Sequence, residues 1–95
     1  MHTPLTIVLE ADNREIQSLV RLLIDAGATD IYGLPVNHFE SRDGRLIQTR
    51  KEHIECSVEG SQLQPLVDAL KNFHEHRFPI EIRLAGRDMP LVVIP

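Results

Sequence analysis

Twice along this chain a strand-like run leads into an amphipathic helix and then into a second strand-like run, over residues 4–36 and again over 52–85. Leu5–Leu9 is mostly apolar behind Pro4 and reads as a buried strand. Asp12-Asn13-Arg14-Glu15 has the spacing of a capping box, in which Asp12 accepts from an amide of the first turn. Ile16, Leu19, Val20, Leu23 and Ile24 then fall on one helical face. Gly27 follows, a residue that turns left-handed without steric cost, so the pattern predicts a helix over 13–26. Ile31–Val36 reads as the next strand, and Pro35, with no amide to donate, assigns that end to an edge or a bulge.

The second half repeats the layout. From Glu52 to Val58, Ile54, Cys56 and Val58 face one way while His53, Glu55 and Ser57 face the other. Gly60-Ser61 breaks the strand, and Ser61 to Gln64 has capping-box spacing, with Pro65 to be fitted into the first turn. Leu63, Leu66, Val67, Leu70 and Phe73 form the apolar stripe of a second helix. Phe78, Ile80, Ile82 and Leu84 alternate with Pro79, Glu81 and Arg83 as a fourth strand, and Leu91–Ile94 reads as a short last one after a turn at Gly86-Arg87-Asp88. Two such units predict an α+β, ferredoxin-like βαββαβ sandwich. Its four-stranded antiparallel sheet carries both helices on one face, with an extra C-terminal strand. The other face, with Thr6, Val8 and Ser57 as candidates, is left uncovered and only weakly polar, which predicts that the protein covers it by oligomerising. Between the halves, residues 37–51 are polar around Asp43-Gly44, a dipeptide suited to a tight hairpin turn, and the expectation is a mobile hairpin with a defined tip.

Size and charge narrow the function. Ninety-five residues suit one domain over 1–95, a body in which a deep ligand cleft is hard to carve without a subunit interface. The net charge of −4 argues against nucleic acid, whose binders need a positive surface to release counterions, and against docking on anionic lipid. Apolar runs such as Leu91–Ile94 are too short for membrane insertion, and the N-terminal residues lack the basic start and apolar core of a signal peptide. A single cysteine, Cys56, excludes an internal disulfide and a cysteine-pair zinc site, so a cytoplasmic location is the expectation. The sequence contains no phosphate-binding Gly-Lys loop, serine nucleophile elbow or His-Glu-x-x-His helix, and an enzyme is not expected.

Four groupings merit weighing. Arg42, Arg45, Arg50 and Lys51 lie in one window and can fork onto phosphate or carboxylate, although Glu40, Asp43 and Glu52 balance them as an ordinary solvated hairpin. His74 and His76 can supply half of a metal site, but one chain places too few ligands to close it, and exposed histidines at a helix end are the plainer account. Cys56 falls on the inward phase of its strand and reads as a packed thiol. His53 and Glu55 share the opposite face, where they can line an oligomer axis or stand simply exposed.

Local patches resemble the PII-like signalling proteins of the PII/CutA superfamily. Ala26-Gly27-Ala28-Thr29-Asp30-Ile31-Tyr32 is similar to the helix-to-strand crossing of PII. His53–Val58 followed by Gln64–Leu70 is similar to its third strand and second helix, and 37–51 sits where PII proteins carry their partner-docking T-loop. The resemblance implies a divergent, non-enzymatic homotrimer with ligands in the clefts between subunits. It implies an adenine nucleotide or small anion as ligand, contacted by Thr29, Asn37, His38, Arg42, Arg45, Arg83 and Arg87. It also implies a protein partner, such as a membrane transporter or carbon-handling system, reached through 37–51. Two departures stand out: residues 72–78 have no glycine to bring amides to a triphosphate, and 37–51 has no tyrosine to be uridylylated. Leu70–Leu84 is also similar to CutA, where a histidine-bearing helix end runs into a proline-bearing strand, which makes a CutA-like divalent-metal tolerance protein with His74 and His76 as ligands the alternative. An ACT-like amino-acid-binding domain is the third reading, weakened because Asp12-Asn13-Arg14-Glu15 lacks the Asp-x-x-Gly turn of that family.

Overall fold

The computed structural model describes residues 2–10, 12–74, 79–86 and 90–95. The elements run β1 (His2–Leu9), α1 (Asn13–Asp25), β2 (Thr29–Arg42), β3 (Arg45–Glu59), α2 (Leu63–His74), β4 (Ile80–Leu84) and β5 (Pro90–Ile94). The five strands form one antiparallel sheet in the order β2-β3-β1-β4-β5. The expected ferredoxin-like α+β sandwich with its extra C-terminal strand is therefore the observed fold.

Both helices cover one sheet face. Leu19 and Leu23 of α1 and Leu66, Val67 and Leu70 of α2 form one buried cluster with Leu5, Ile7 and Leu9 of β1. Ile54, Cys56 and Val58 of β3, Ile80 and Ile82 of β4 and Ile94 of β5 complete it. These strand residues sit at alternate positions, as the pleat requires when one face is dry. At the start of α1 the Asp12 carboxylate accepts from the Glu15 amide at 2.8 Å. At its end Gly27 takes φ +88° while its amide reaches the Ile24 carbonyl and the Ala28 amide reaches Leu23, a Schellman closure that satisfies the last carbonyls.

Three local expectations are corrected. Ser61 does not cap α2: it lies in a 3-10 turn, Gly60–Gln62, that leads directly into the helix. Pro65 is then third in α2, where its missing amide has no intrahelical partner to lose. The second strand does not stop at Val36 but runs on to Arg42, and the third begins at Arg45, so most of 37–51 is paired strand. Pairing is continuous from Tyr32↔Glu55 to Arg42↔Arg45, and Asp43 and Gly44 take φ 52° and 75°, the positive pair that a two-residue hairpin turn needs.

Because β1 pairs only with Glu52–Glu59 of β3, the rest of the hairpin projects from the body as a two-stranded arm. Seven residues per strand, 36–42 and 45–51, reach about 20 Å at the usual strand rise. The arm explains why the molecule is 45 Å long, and why its 13.6 Å radius of gyration exceeds the roughly 12 Å of a compact chain of this length. It also explains the polar sequence: beyond the helices both arm faces meet solvent, so no apolar alternation is required.

Candidate functional site

The sheet face away from the helices is the candidate site. The pairing registers align two rows across it. One holds Tyr32, Glu55, Thr6 and Arg83; the next holds Leu34, His53, Val8, Glu81 and Val93. The edge-strand members are apolar and open to solvent, with Tyr32 at 62%, Leu34 at 52% and Val93 at 53% exposure. Val8, in the middle, is only 3% exposed although it lies outside the helix-side core; its cross-strand neighbours are the longer His53 and Glu81. A narrow polar band thus divides two apolar flanks.

One charged pair in the band is matched. Arg83 donates through Nη2 and Nε to one carboxylate oxygen of Glu81, at 2.6 and 3.0 Å, and both side chains are more than two-thirds buried. His53 is half-buried, and burial first, then the Arg83 and Lys51 cations, hold its pKa below the ordinary value, against the opposing pull of Glu55 and Glu52. The face groups His53 with Glu55, as strand alternation predicted. The alternation of Glu81 and Arg83 with Ile80 and Ile82 already sets those two opposite the core, whereas Tyr32, Leu34 and Val93 join the face only through strand order and register.

Within one subunit, the described residues among those expected to bind a ligand are not brought together. Thr29 begins β2 opposite Ser57, whereas Arg42 and Arg45 face each other at the arm tip, most of the molecule's length away. Asn37 and His38 are successive in β2 and so lie on opposite faces of the arm, paired with Arg50 and Thr49. Arg42 is ion-paired with Glu40, and Arg83 is engaged by Glu81 on the open face. Arg87 and His76 lie outside the described residues, as do 75–78 of the connection expected to disfavour nucleotide, and His74 is the last residue of α2. Beside the polar band, a cleft of about 40 Å³ lined by Val8, Leu9, Glu10, Lys51, Pro79 and Glu81 has room for water but not for a nucleotide. Among the described residues no three His, Cys, Asp or Glu side chains are grouped to hold a metal ion, and no helix is long and apolar enough to cross a membrane. Cys56 is buried, as predicted, and burial pushes its thiol up to about 11.

No family model matches the sequence, and no curated protein does. Solved structures do. The periplasmic divalent cation tolerance protein CutA of Archaeoglobus fulgidus is 15% identical, with a TM-score of 0.65 over 94% of this chain and 88% of its own. CutA from Synechococcus elongatus is 16% identical, with a TM-score of 0.65 over 87% of this chain and 76% of its own. CutA1 from Oryza sativa is 14% identical, with a TM-score of 0.64 over 94% and 84%. Such identities establish the fold, the ferredoxin-like fold shared by the PII/CutA superfamily, and nothing finer. The leading functional expectation, a PII-like regulator that binds an anion in clefts and signals to a partner through 37–51, is corrected by which proteins share the fold. These similar structures are divalent cation tolerance proteins and CutA proteins, the alternative reading, whereas the hairpin expected over 37–51 is observed as a paired ribbon.

Proposed function

We propose that this chain is a CutA-like protein: one non-catalytic domain over 1–95 that assembles as a homotrimer by covering its open sheet face, and serves in tolerance of divalent cations. The observation that carries the assembly is the face itself. Tyr32, Leu34 and Val93 are apolar, exposed and on one surface, and in the polar band between them Arg83 already has its counter-charge in Glu81. A second copy can bury the flanks while the Arg83 cation keeps its counter-charge. The resemblance to the PII/CutA group supports three copies around an axis. The cation role rests on the names of the structural relatives. Since one subunit groups no three ligands among its described residues, ligands must come from more than one copy or from residues outside that set. His74 and His76 are the sequence's candidates.

Light scattering coupled to size exclusion tests the assembly: a trimer is expected at micromolar concentration, and a stable monomer refutes it. Calorimetric titration of the assembled protein with Cu(II), Zn(II) and Mn(II), repeated on a His74→Ala/His76→Ala variant, tests the cation role. Binding by the wild type that the variant loses supports it; no binding of any of the three by the wild type refutes it.

A further inference from the structure

We propose that the open face is an acid-sensitive assembly surface, and that protonation of His53 in the middle of its polar band separates the subunits. The proposal rests on the reading that copies of this chain cover that face. His53 is the only histidine among the described residues that is not largely exposed and whose side chain is described. It stands between Leu34 of β2 and Val8 of β1, with Tyr32 and Val36 on β2 and Thr6 on β1 one pleat away on the same face.

The charged groups around it are Lys51, Glu52 and Glu55 on its own strand and Glu81 and Arg83 on β4. Of these, Glu81 is committed to Arg83. A proton on His53 therefore adds a cation beside a fixed guanidinium, between two apolar neighbours, with Glu55 as the acid left on the same face. In the separated subunit water can solvate that charge. Under a second copy it cannot; burial with the Arg83 and Lys51 cations already outweighs the opposing pull of Glu55 and Glu52 in the single subunit, and deeper burial adds to it, so the assembled state binds the proton less well than the free one and acid favours separation. A closed ring repeats the same row in every copy, so the cost recurs at each subunit. Burial and the two neighbouring cations already hold the His53 pKa below 6.5 in the single subunit, the direction required.

The test is sedimentation of the wild type and of His53→Gln at about pH 8 and about pH 5, either side of the histidine range. The wild type should be a trimer at the higher pH, and its dissociation constant should rise at least about tenfold at the lower, one pKa unit's worth of differential proton binding. His53→Gln should remain assembled at both. A wild type assembled equally at both values overturns this proposal and leaves the trimer standing. A wild type monomeric at the higher value removes both. A glutamine variant that separates in acid as the wild type does assigns the effect to another group and overturns the proposal. Should that variant not fold, the His53 ring-proton resonance of the wild type decides: titration below 6.5 in step with dissociation supports the proposal, and titration at or above 6.5 overturns it.

Discussion

Arg83 grips Glu81 from two residues along the same strand, giving two hydrogen bonds, 2.6 and 3.0 Å, to one carboxylate oxygen. On a strand these two side chains project from the same face, and here that face is the one without helices. The pair lets a charged residue type occupy a surface that is otherwise ready for burial. Glu81→Gln weakens the grip and leaves a guanidinium, largely removed from water, without its counter-charge. The expected loss is on the order of 1 kcal/mol by urea unfolding of the isolated subunit, between an exposed pair and a buried one.

Removing the cation reaches further. Arg83→Gln deletes one of the charges that hold His53 down, so the imidazole should titrate at higher pH than in the wild type. A histidine with a lowered folded-state pKa contributes stability that is complete above about 6.5 and lost as pH falls toward the folded value. The variant should therefore lose less stability between neutral and mildly acid pH. Histidine NMR and urea midpoints measured over that range check both statements; an unmoved His53 resonance would show that Arg83 does not act on it.

At the end of α1, Gly27 combines φ +88° with a close neighbour: a Cβ there would lie 3.3 Å from Oε1 of Gln62. Gly27→Ala should cost about 1–2 kcal/mol, the usual penalty of a left-handed non-glycine residue with little added for a movable side chain. Pairing it with Gln62→Ala separates the two causes. Little recovery is expected in the double variant, because the conformation and not the contact dominates.

The arm can be loosened without touching the core. Gly44 turns the hairpin with φ 75° and has open space around it, so Gly44→Ala strains the turn but meets no neighbour. Faster amide exchange over residues 36–51 is expected, with less than about 1 kcal/mol lost in global stability, because a two-stranded ribbon is marginal by itself. A large drop in melting temperature would place the turn in the cooperative unit.

Cys56 should be inert while the chain is folded. It is buried within the helix-side core, and its thiol is pushed up to about 11, so little thiolate forms at pH 8 and reagent cannot reach it. Iodoacetamide labelling should follow unfolding in denaturant, and prompt labelling of the native protein would contradict the packing.

The core could be read from the chain because it is one-sided. Ile54, Cys56 and Val58 alternate since one face of β3 is dry, and Leu19 and Leu23 recur at helical spacing since one stripe of α1 is dry. The arm could not be read as strand for the converse reason. Asn37 and His38 both meet water on their opposite faces, and nothing in their composition separates paired strand from loop. The tip was legible because Asp43-Gly44 carries its own backbone requirement. The open face was half legible: His53 and Glu55 were assigned to it and alternation sets Glu81 and Arg83 opposite the core, but joining them to Tyr32, Leu34 and Val93 needs the strand order and registers, which no local pattern contains.

The position of β1 in the sheet sets the timing of folding. This first strand is also the central one: Leu5 lies opposite Cys56 on one side and opposite Leu84 on the other. During synthesis neither side of β1 can be completed until most of the chain has left the ribosome. Early α1 and the 43–44 turn can form locally, but the buried cluster must wait for distant partners. Such wiring makes the molecule slower to fold than a helical bundle of the same size, because distant pairings must close before the core can form. Until then an apolar strand, Leu5–Leu9, stays unpaired, the interval in which the nascent chain is most prone to aggregate.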